Sequence, residues 1–265
     1  MKSLLLLFIT MFSLQADVYY SKVEPYETRK ISSNVIGVVT VANENLIGQT
    51  LIHSSFIVID AKLDREELGF VTQKLEDLKG TLEVNKKILA NLNEALEKKR
   101  VNYDRVKELK IKSSVEKDRE FYDLVSSENA PLTIQKEINS LKNQIADLSL
   151  RKAQLERSIE DKNLKAKGFK LYSLAVKVGE VVTKGTPLAT LVDESRAILT
   201  IYLNEADVLN AKSKVIYIDS KKTSYKIDRL LNIADSKNIS KYKAQIIIKS
   251  PKIFSQLVKV ELRDE

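Results

Sequence analysis

A heptad repeat in the middle of the chain restricts the fold more than any other feature. Its positions follow one another at alternating spacings of four and three: Val71, Leu75, Leu78, Leu82, Asn85, Leu89, Leu92, Leu96, Lys99, Tyr103 and Val106. Most of these residues are apolar, and mainly Lys, Glu, Asn and Gln fill the positions between them. An apolar seam that recurs about every 3.5 residues predicts a helix in a coiled coil.

A second seam follows the first and supplies the nearest partner for it. Its positions are Ile134, Ile138, Leu141, Ile145, Leu148, Lys152, Leu155 and Ile159. We predict a turn at residues 112–114, close to the midpoint of the helical zone, with Ser114 capping a helix that begins at Val115. The pattern therefore predicts an antiparallel hairpin with arms of roughly 45 residues, each about 65–70 Å long at ~1.5 Å per residue.

The segment SSENAP, residues 126–131, is expected to interrupt the second helix. The heptad register is lost between Phe121 and Pro131, and a proline removes a helical hydrogen bond and restricts the residue before it, Ala130. Ser127 or Asn129 would then cap the restarted helix. The lost register also disfavours the alternative of one continuous dimeric coiled coil.

The N-terminus has the pattern of a secretory signal peptide. Lys2 precedes an apolar run from Leu4 to Leu14, and Ala16 stands before Asp17. We predict removal of residues 1–16 and export of the remainder, with no lipid anchor and no retained transmembrane helix. The alternative is a retained membrane anchor, because Leu14 is a poor residue three positions before the cleavage site.

Zones rich in β-branched residues flank the helical zone, and neither zone forms a complete domain alone. The most regular stretch is VKVGEVVTKGTPLATLV, residues 176–192, in which short strands alternate with turns. We expect the hairpin to bring the two zones together as one sandwich, followed by a small antiparallel barrel at the C-terminus. The predicted turn residues of the sandwich are Gly37, Gly48, Gly179, Gly185 and Pro187.

Such a sandwich is typical of domains that carry biotin or lipoate on a lysine. The carrier lysine stands within a triplet such as DKA or MKM, and neither Lys184 nor Lys62 has that context. We therefore expect no cofactor and interpret Lys184 as a solvated turn residue. Intact mass is the measurement that would reveal a modified lysine.

Composition argues against an enzyme and against a metal site. Cysteine is absent, His53 is the single histidine, and the methionines are Met1 and Met11. This removes thiolate ligands, and a single histidine does not favour a nucleophile–His–Asp triad, although Ser–Lys chemistry stays open. The net charge of +8 comes from acidic and basic residues interspersed along the chain, which is typical of solvated helix faces and does not favour nucleic-acid binding.

Together these features resemble the periplasmic adaptors of bacterial efflux and secretion pumps, the membrane fusion proteins of the HlyD-like family. The likeness is carried by residues 178–182, 184–189 and 197–208 and by Asp193. It implies an α+β fold in which a long antiparallel α-helical coiled-coil hairpin is inserted into a split lipoyl-like β-sandwich, followed by a small β-barrel. Any further membrane-proximal domain would be short, absent or built from residues 18–30 alone.

The resemblance also implies a division of the chain into segments. They are the signal peptide at 1–16, the N-terminal strands and first lipoyl-like half at 17–63, the hairpin at 64–167 with its tip near 110–117, the second lipoyl-like half at 168–195, and the barrel at 196–265.

For function, the resemblance implies a periplasmic subunit without catalytic residues or cofactors. It would bridge an inner-membrane transporter of the RND or ABC type and a TolC-type outer-membrane channel, as a homo-oligomer that is a hexamer on the pump. In this family the hairpin tip docks on the channel through an arginine, a leucine and a serine. Arg105 and Leu109 match this pattern, whereas the serine position falls at Glu116, with Ser113 and Ser114 close by.

Two alternatives stay open. On the residues alone, Arg105 is a surface charge and Leu109 a coiled-coil core residue. For the whole chain, the alternative is an exported coiled-coil scaffold or a regulator of a cell-wall enzyme, which would not need the two β zones to meet. Proximity of residues 37–59 to residues 174–192 distinguishes the adaptor from the scaffold.

Overall fold

The structure is a computed structural model that describes residues 17–234, 238 and 240–264. The predicted signal peptide, residues 1–16, lies outside the described residues. The chain divides into two compact units. We call the described parts of Met1–Ser33, Val41–Ile57 and Lys165–Glu265 the β unit, and Asn34–Thr40 with Val58–Leu164 the hairpin unit.

The hairpin unit contains two long helices, α1 (Lys62–Glu108) and α2 (Ser114–Asp161). They run antiparallel, as shown by the ion pair between Arg151 and Glu67 and the hydrogen bond from Lys117 to the Lys107 carbonyl. Every position of the two predicted seams is buried or half-buried. The predicted helical hairpin is therefore confirmed. Its helices begin and end earlier than the expected 64–167, because the chain enters a strand at Asn163.

The expected break at residues 126–131 is wrong, because α2 is continuous and contains Pro131. The seam extends beyond its predicted start, with Leu124, Ser127 and Pro131 at the same spacings of three and four. Pro131 is buried, and Ser127 is a mid-helix residue whose hydroxyl donates to the Asp123 carbonyl at 2.7 Å instead of capping a helix. Packing of α2 along α1 stabilises the helix enough to tolerate the one backbone hydrogen bond that proline cannot make.

Apolar and polar contacts share the stabilisation of the hairpin end that contains the helix termini Lys62 and Asp161. Val71, Leu75 and Leu155 form a buried cluster there. Asp64 accepts hydrogen bonds from the Ser158 hydroxyl at 2.6 Å and from Lys162 Nζ at 3.0 Å. Burial raises the pKa of Asp64, but these bonds outweigh it and lower the pKa below its ordinary value.

Strands and one short helix make up the rest of the chain. In order they are β1 (Asp17–Ser32), β2 (Gly37–Ala42), β3 (Thr50–Ile59), β4 (Asn163–Leu174), β5 (Val181–Val182), β6 (Pro187–Leu203), α3 (Glu205–Val208), β7 (Val215–Ile218), β8 (Lys221–Lys222), β9 (Arg229–Ala234), β10 (Tyr242–Lys249) and β11 (Leu257–Arg263).

The long strand β6 is central in the curled sheet of the β unit. It pairs antiparallel with β1, β4 and β10, and β9 continues the sheet beyond β10. Strand β1 changes partner along its length: Asp17–Lys22 pairs with β11, and the part from Val23 pairs with β6. Residues 18–30 therefore belong to a strand of this sheet.

The core of the β unit lies between its C-terminal strands and β1. Leu199 on β6 stands opposite both Val23 and Ile246, and Leu199 and Ile246 are fully buried. Alternate residues of β11, including Val260 and Leu262, complete this core. Buried residues alternate with more exposed ones along β1 up to Val23 and along β6 from Ala197 to Leu203, as a sheet with one covered face requires. On β11 the outward residue Glu261 is buried as well.

The two β zones flanking the hairpin in sequence meet within the β unit. The Gly48 N–H donates to the Leu171 carbonyl at 2.8 Å, and the Leu171 N–H donates to the Gln49 carbonyl at 3.1 Å. Ser33 exchanges backbone hydrogen bonds with Gly185 and Thr186 at 2.7 and 2.9 Å. Segments more than a hundred residues apart thus form one structure.

Candidate functional site: the tip of the hairpin

The tip of the hairpin is a short turn between the two helices. Helix α1 ends at Glu108 and α2 begins at Ser114, so residues 109–113 connect them. The Leu109 N–H donates to the Val106 carbonyl at 3.1 Å, which ends α1 with a tight last turn. The tip therefore begins slightly before the segment 110–117 where the sequence located it.

A complete capping box starts α2, and its cap is Ser113 instead of the predicted Ser114. Ser113 has an extended backbone, and its hydroxyl accepts a hydrogen bond from the Glu116 N–H at 3.3 Å. The Glu116 carboxylate accepts one from the Ser113 N–H at 3.0 Å. Ser114 is already helical, so it cannot act as the cap. Of these two serines, only Ser113 is followed three residues later by a glutamate, Glu116, and this spacing is the sequence signature of a capping box.

The Glu116 carboxylate is committed to holding the turn. The ammonium of Lys112 donates to it at 3.0 Å, and Ser113 adds backbone and hydroxyl bonds. These hydrogen bonds, the one from Lys112 first, lower the pKa of Glu116 to about 2. The residue at the expected serine position is therefore anionic and internally paired at physiological pH.

A lysine joins the two helices just below the turn. The Lys117 ammonium donates to the Lys107 carbonyl at 2.9 Å. This carbonyl lies in the last turn of α1, where carbonyls lack helical partners and the helix dipole favours a cation. The connection fixes the start of α2 against the end of α1.

Three apolar side chains project from the tip into solvent. Leu109 is 42% exposed, Ile111 is 89% exposed and Val115 is 74% exposed. We call these residues the apolar apex. An exposed apolar cluster at the end of a long rod is typical of a contact surface. Leu109 lies outside the seam, which does not support its interpretation as a coiled-coil core residue.

Ile111 and Val115 were not predicted as site residues. One feature of the sequence could have identified Ile111 as a site residue: it is an apolar residue between Lys110 and Lys112, in a turn outside the heptad. Binding residues are often found on loops that a rigid scaffold holds in position.

Arginine side chains free of partners flank the apex. Arg105 lies one turn before Leu109 on α1, and Arg119 lies on the first turns of α2. Within the described part of the chain, neither side chain forms a hydrogen bond or an ion pair. Arg119 also lines a polar groove of about 440 Å³, together with Val106, Lys112, Glu116, Glu120 and Asp123. Unpaired guanidinium groups are available to carboxylates or carbonyls of a partner.

The predicted site residues therefore fall at the same end of the hairpin in different roles. Arg105 and Leu109 present side chains to solvent, whereas Ser113 and Glu116 build the turn. Ser114 is the exposed first residue of α2. The structure thus separates a solvent-exposed half of the predicted motif from a half that builds the turn.

The predicted sandwich turns differ among themselves. Gly48, Gly179 and Gly185 have φ of 80°, 90° and 90°, a region that favours glycine. Gly37 is not a turn residue: it begins β2, and a Cβ there would lie 2.7 Å from the Ile59 side chain. Close approach, and not backbone conformation, therefore requires glycine at position 37. Pro187 is the first residue of β6.

The remaining chemistry of the described residues is limited. Across 17–234, 238 and 240–264, no group of three or more His, Cys, Asp or Glu side chains could hold a metal ion. None of the helices in this part of the chain has the length and apolar character needed to span a bilayer.

Known proteins resemble this chain in structure and not in sequence. No model of a protein family matches it, and no characterised protein matches it in sequence. MacA from Actinobacillus actinomycetemcomitans superposes with a TM-score of 0.67 at 17% identity, over 94% of this chain and 78% of that one. A MacA–MexA chimera containing the Pseudomonas aeruginosa MexA α-hairpin domain gives 0.65 at 12% identity, over 94% and 81%.

A membrane fusion protein from Streptococcus pneumoniae R6 also matches, with a TM-score of 0.55 at 9% identity over 94% of this chain and 99% of that one. Such low identities concern the fold alone. The α+β fold with a helical hairpin is thus one that membrane fusion proteins have.

Proposed function

We propose that the chain is an adaptor subunit of a tripartite efflux or secretion system in the Gram-negative periplasm. It bridges an inner-membrane transporter, of the RND or ABC type, and a TolC-type outer-membrane channel. It catalyses no reaction, binds no cofactor and acts by spanning distance. Several copies, six on the assembled pump, surround the export path.

The hairpin tip is the observation that carries this proposal. It combines a rigid capped turn, an exposed apolar apex and an unpaired arginine at the end of a two-helix rod. In the proposed contact, Leu109 and Ile111 fill a groove between channel helices, and Arg105 binds carboxylates or carbonyls at its rim. Ser113 and Glu116 support the contact indirectly by holding the turn.

The β unit has a supporting role in the proposal. Its two sequence-distant zones would form a split lipoyl-like sandwich, and residues 196–265 a small barrel. Lys184 lies exposed in the turn before β6, and in this function it carries no cofactor. The sandwiches of neighbouring copies would pack side by side, and the barrel would contact the transporter.

Crosslinking from the apex tests the channel contact directly. A photoreactive amino acid at Leu109 or Ile111 is expected to crosslink to an outer-membrane channel in cells. The matched control is Leu150, which is 62% exposed on α2 and distant in sequence from the tip. Equal crosslinking from Leu150 and Ile111, or none from the apex, would contradict docking by the tip.

Charge reversal tests the arginine. Arg105→Glu is expected to impair export at unchanged protein level, because an interfacial charge pair would become a repulsion. Arg65→Glu is the control, since Arg65 is exposed on the same helix and its side chain has no partner among the described residues. Normal export in Arg105→Glu, or an equal defect in Arg65→Glu, would contradict the role of Arg105.

The scaffold alternative explains less of the structure. A coiled-coil regulator does not require the two β zones to form one unit, yet Gly48 and Gln49 bond to Leu171, and Ser33 bonds to the Gly185 turn. A scaffold also gives no reason for an apolar apex. Capture of a cell-wall enzyme by the Ile111 crosslinker, without a channel, would favour this alternative.

A further inference from the structure

One face of the β unit has an exposed surface that the hairpin tip does not explain. Strands β1, β11, β7 and β8 lie side by side, and their inward residues, such as Tyr19, Val260 and Ile216, belong to the core. Alternation places the residues between them on the opposite side. This outer face consists of Val18, Tyr20, Lys22, Val215, Tyr217, Lys222, Leu257, Lys259, Glu261 and Arg263.

The register of the strands brings these residues into one surface. Tyr20 stands opposite Lys259, and Lys22 stands opposite Leu257. On the other side of β11, Tyr217 stands opposite Glu261, and Lys222 stands opposite Tyr217. Side chains of directly opposed residues lie about 5 Å apart at their Cβ atoms, so the surface is continuous across the four strands.

The outer face carries an excess of positive charge. Its strand residues include the carboxylate of Glu261, which is 2% exposed and pairs with both Lys259, at 2.6 Å, and Arg263. A second carboxylate, that of Glu24, is exposed on β1 two residues after Lys22, so cations outnumber carboxylates four to two. The guanidinium of Arg263 also lies 4.2 Å from the centre of the Tyr217 ring. The nearby Asp219 carboxylate accepts a bond from the Lys259 N–H at 3.0 Å. Glu261 is thus enclosed by cations, and Lys22 and Lys222 remain exposed at the strand ends.

Apolar side chains are exposed among these cations. Tyr20 is 64% exposed, Leu257 is 70% exposed and Val18 is 44% exposed. Apolar side chains that are exposed together on one sheet face are typical of an interaction surface, whereas isolated ones are not. The combination of Tyr, Leu and Lys matches surfaces that meet the interface of a bilayer, where an aromatic ring enters the headgroup layer and lysines remain in water.

We infer that this outer face binds an anionic membrane surface. The one arginine of this face, Arg263, already contacts Glu261 and Tyr217. No guanidinium group of this face is therefore free to bind a carboxylate through two hydrogen bonds. The available cations are lysines, which act as point charges and suit a diffuse layer of anionic headgroups.

Vesicle binding tests the inference, which does not rest on the proposed function of the tip. Co-sedimentation of the full chain is measured with vesicles of phosphatidylcholine alone and with vesicles containing phosphatidylglycerol. Subtracting the binding to phosphatidylcholine vesicles removes any contribution that apolar insertion of residues 1–16 makes to the binding of both vesicle types. Wild-type protein is expected to bind the anionic vesicles preferentially and to lose this preference in 0.5 M salt, because screening weakens diffuse charge attraction, with a Debye length of about 4 Å at this ionic strength.

The decisive variant is Lys22→Glu with Lys222→Glu. At about 1 kcal/mol per cation near the surface, the pair should lower the partition into anionic vesicles by at least about 25-fold. Lys177→Glu with Lys184→Glu changes net charge equally at exposed positions elsewhere in the β unit and should have little effect. Tyr20→Ser should reduce binding several-fold without changing the charge. Far-UV circular dichroism verifies that each variant folds.

An equal loss in the control pair would overturn the inference, because net charge and not this face would then determine binding. Equal binding of wild-type protein to both vesicle types, or binding to neither, would overturn it as well. In the last case the face would suit an acidic protein instead. The hairpin variant Arg105→Glu should bind vesicles like wild type, so failure of this inference and failure of tip docking are distinguishable.

Discussion

The β unit and the hairpin unit bury their apolar residues in different ways. In the β unit, residues from several strands meet in one cluster, and Leu199 and Ile246 are fully buried. In the hairpin, most seam residues, such as Leu92, stay half-exposed because each helix covers only one side of the other. The β unit is therefore stabilised by fully buried residues from several strands, and the hairpin is stabilised by many half-exposed seam residues that each contribute little.

The polar contacts differ in the same sense. Towards the tip, polar bonds join the helices: Lys99 with Asp123 at 2.8 Å and with Ser127 at 2.7 Å, and Arg100 with Glu128 at 3.2 Å. These groups are solvent-accessible, so each pair contributes little. The distal hairpin should therefore open locally at a lower free energy than the β core.

The largest expected effect comes from truncating the β core. Leu199→Ala should lower the free energy of unfolding by about 2–5 kcal/mol, because a fully buried side chain leaves a cavity. Leu92→Ala in the hairpin seam should cost only about 1 kcal/mol, because its side chain is already partly hydrated. Urea unfolding followed by far-UV circular dichroism measures both changes, since the chain lacks tryptophan.

Ile233→Ala provides the matched control for the β unit. Ile233 is 81% exposed on β9, so its truncation should change the free energy by no more than about 0.5 kcal/mol. Equal costs for Leu92→Ala and Leu199→Ala would remove the distinction between the two units.

Pro131 provides a second comparison, within the hairpin. Pro131→Ala should raise the free energy of unfolding of the hairpin by about 1–2 kcal/mol. The regained backbone hydrogen bond and the higher helix propensity of alanine should contribute more than the packing that is lost with the proline ring. As a control, Lys136→Pro at an exposed position of α2 should cost about 3 kcal/mol or more. Destabilisation by Pro131→Ala would mean that seam packing of the ring outweighs the backbone term.

A smaller effect is expected at the polar seam position. A double-mutant cycle of Lys99→Ala and Asp123→Ala should give a coupling of about 0.5 kcal/mol. The coupling should decrease in 1 M salt, because exposed pairs are screened. The cycle of Lys98 with Glu94, an exposed pair on one helix, should give the same or less. A salt-independent coupling above about 2 kcal/mol would show that the distal seam is as dry as the β core.

The smallest effect concerns the tip turn and is read as a titration. Lys112→Ala should raise the pKa of Glu116 from about 2 towards its ordinary value of 4.5, measured by NMR of the side-chain carboxyl. Lys110→Ala is the control and should leave this pKa unchanged. Because the folded-state pKa is depressed, the stabilising contribution of Glu116 is present above pH 4.5 and is lost as the pH falls through 2. Fraying of α2 at neutral pH would contradict this assignment.

The two units also differ in how much of them could be predicted. The seam positions were predictable because a helix converts sequence spacing directly into a face. Arg105 and Leu109 at the tip were named from the family resemblance and not from this spacing. The break at Pro131 was predicted wrongly, because local propensity includes the lost hydrogen bond but not the buried ring. The cap was displaced by one residue for a local reason, since Ser113 and Glu116 satisfy each other and Ser114 cannot.

By itself, the sequence determined the hairpin, the β character of its flanks and the absence of thiolate chemistry, because these depend on short-range spacing and composition. Only the tertiary structure decided which strands pair, since β1 pairs with β11 and then β6 across nearly the full length of the chain. It also decided that Gly37 is required for space, that Ile111 is exposed and that Lys22 and Lys222 share a face. Such relations depend on residues distant in sequence, and spacing along the chain does not specify them.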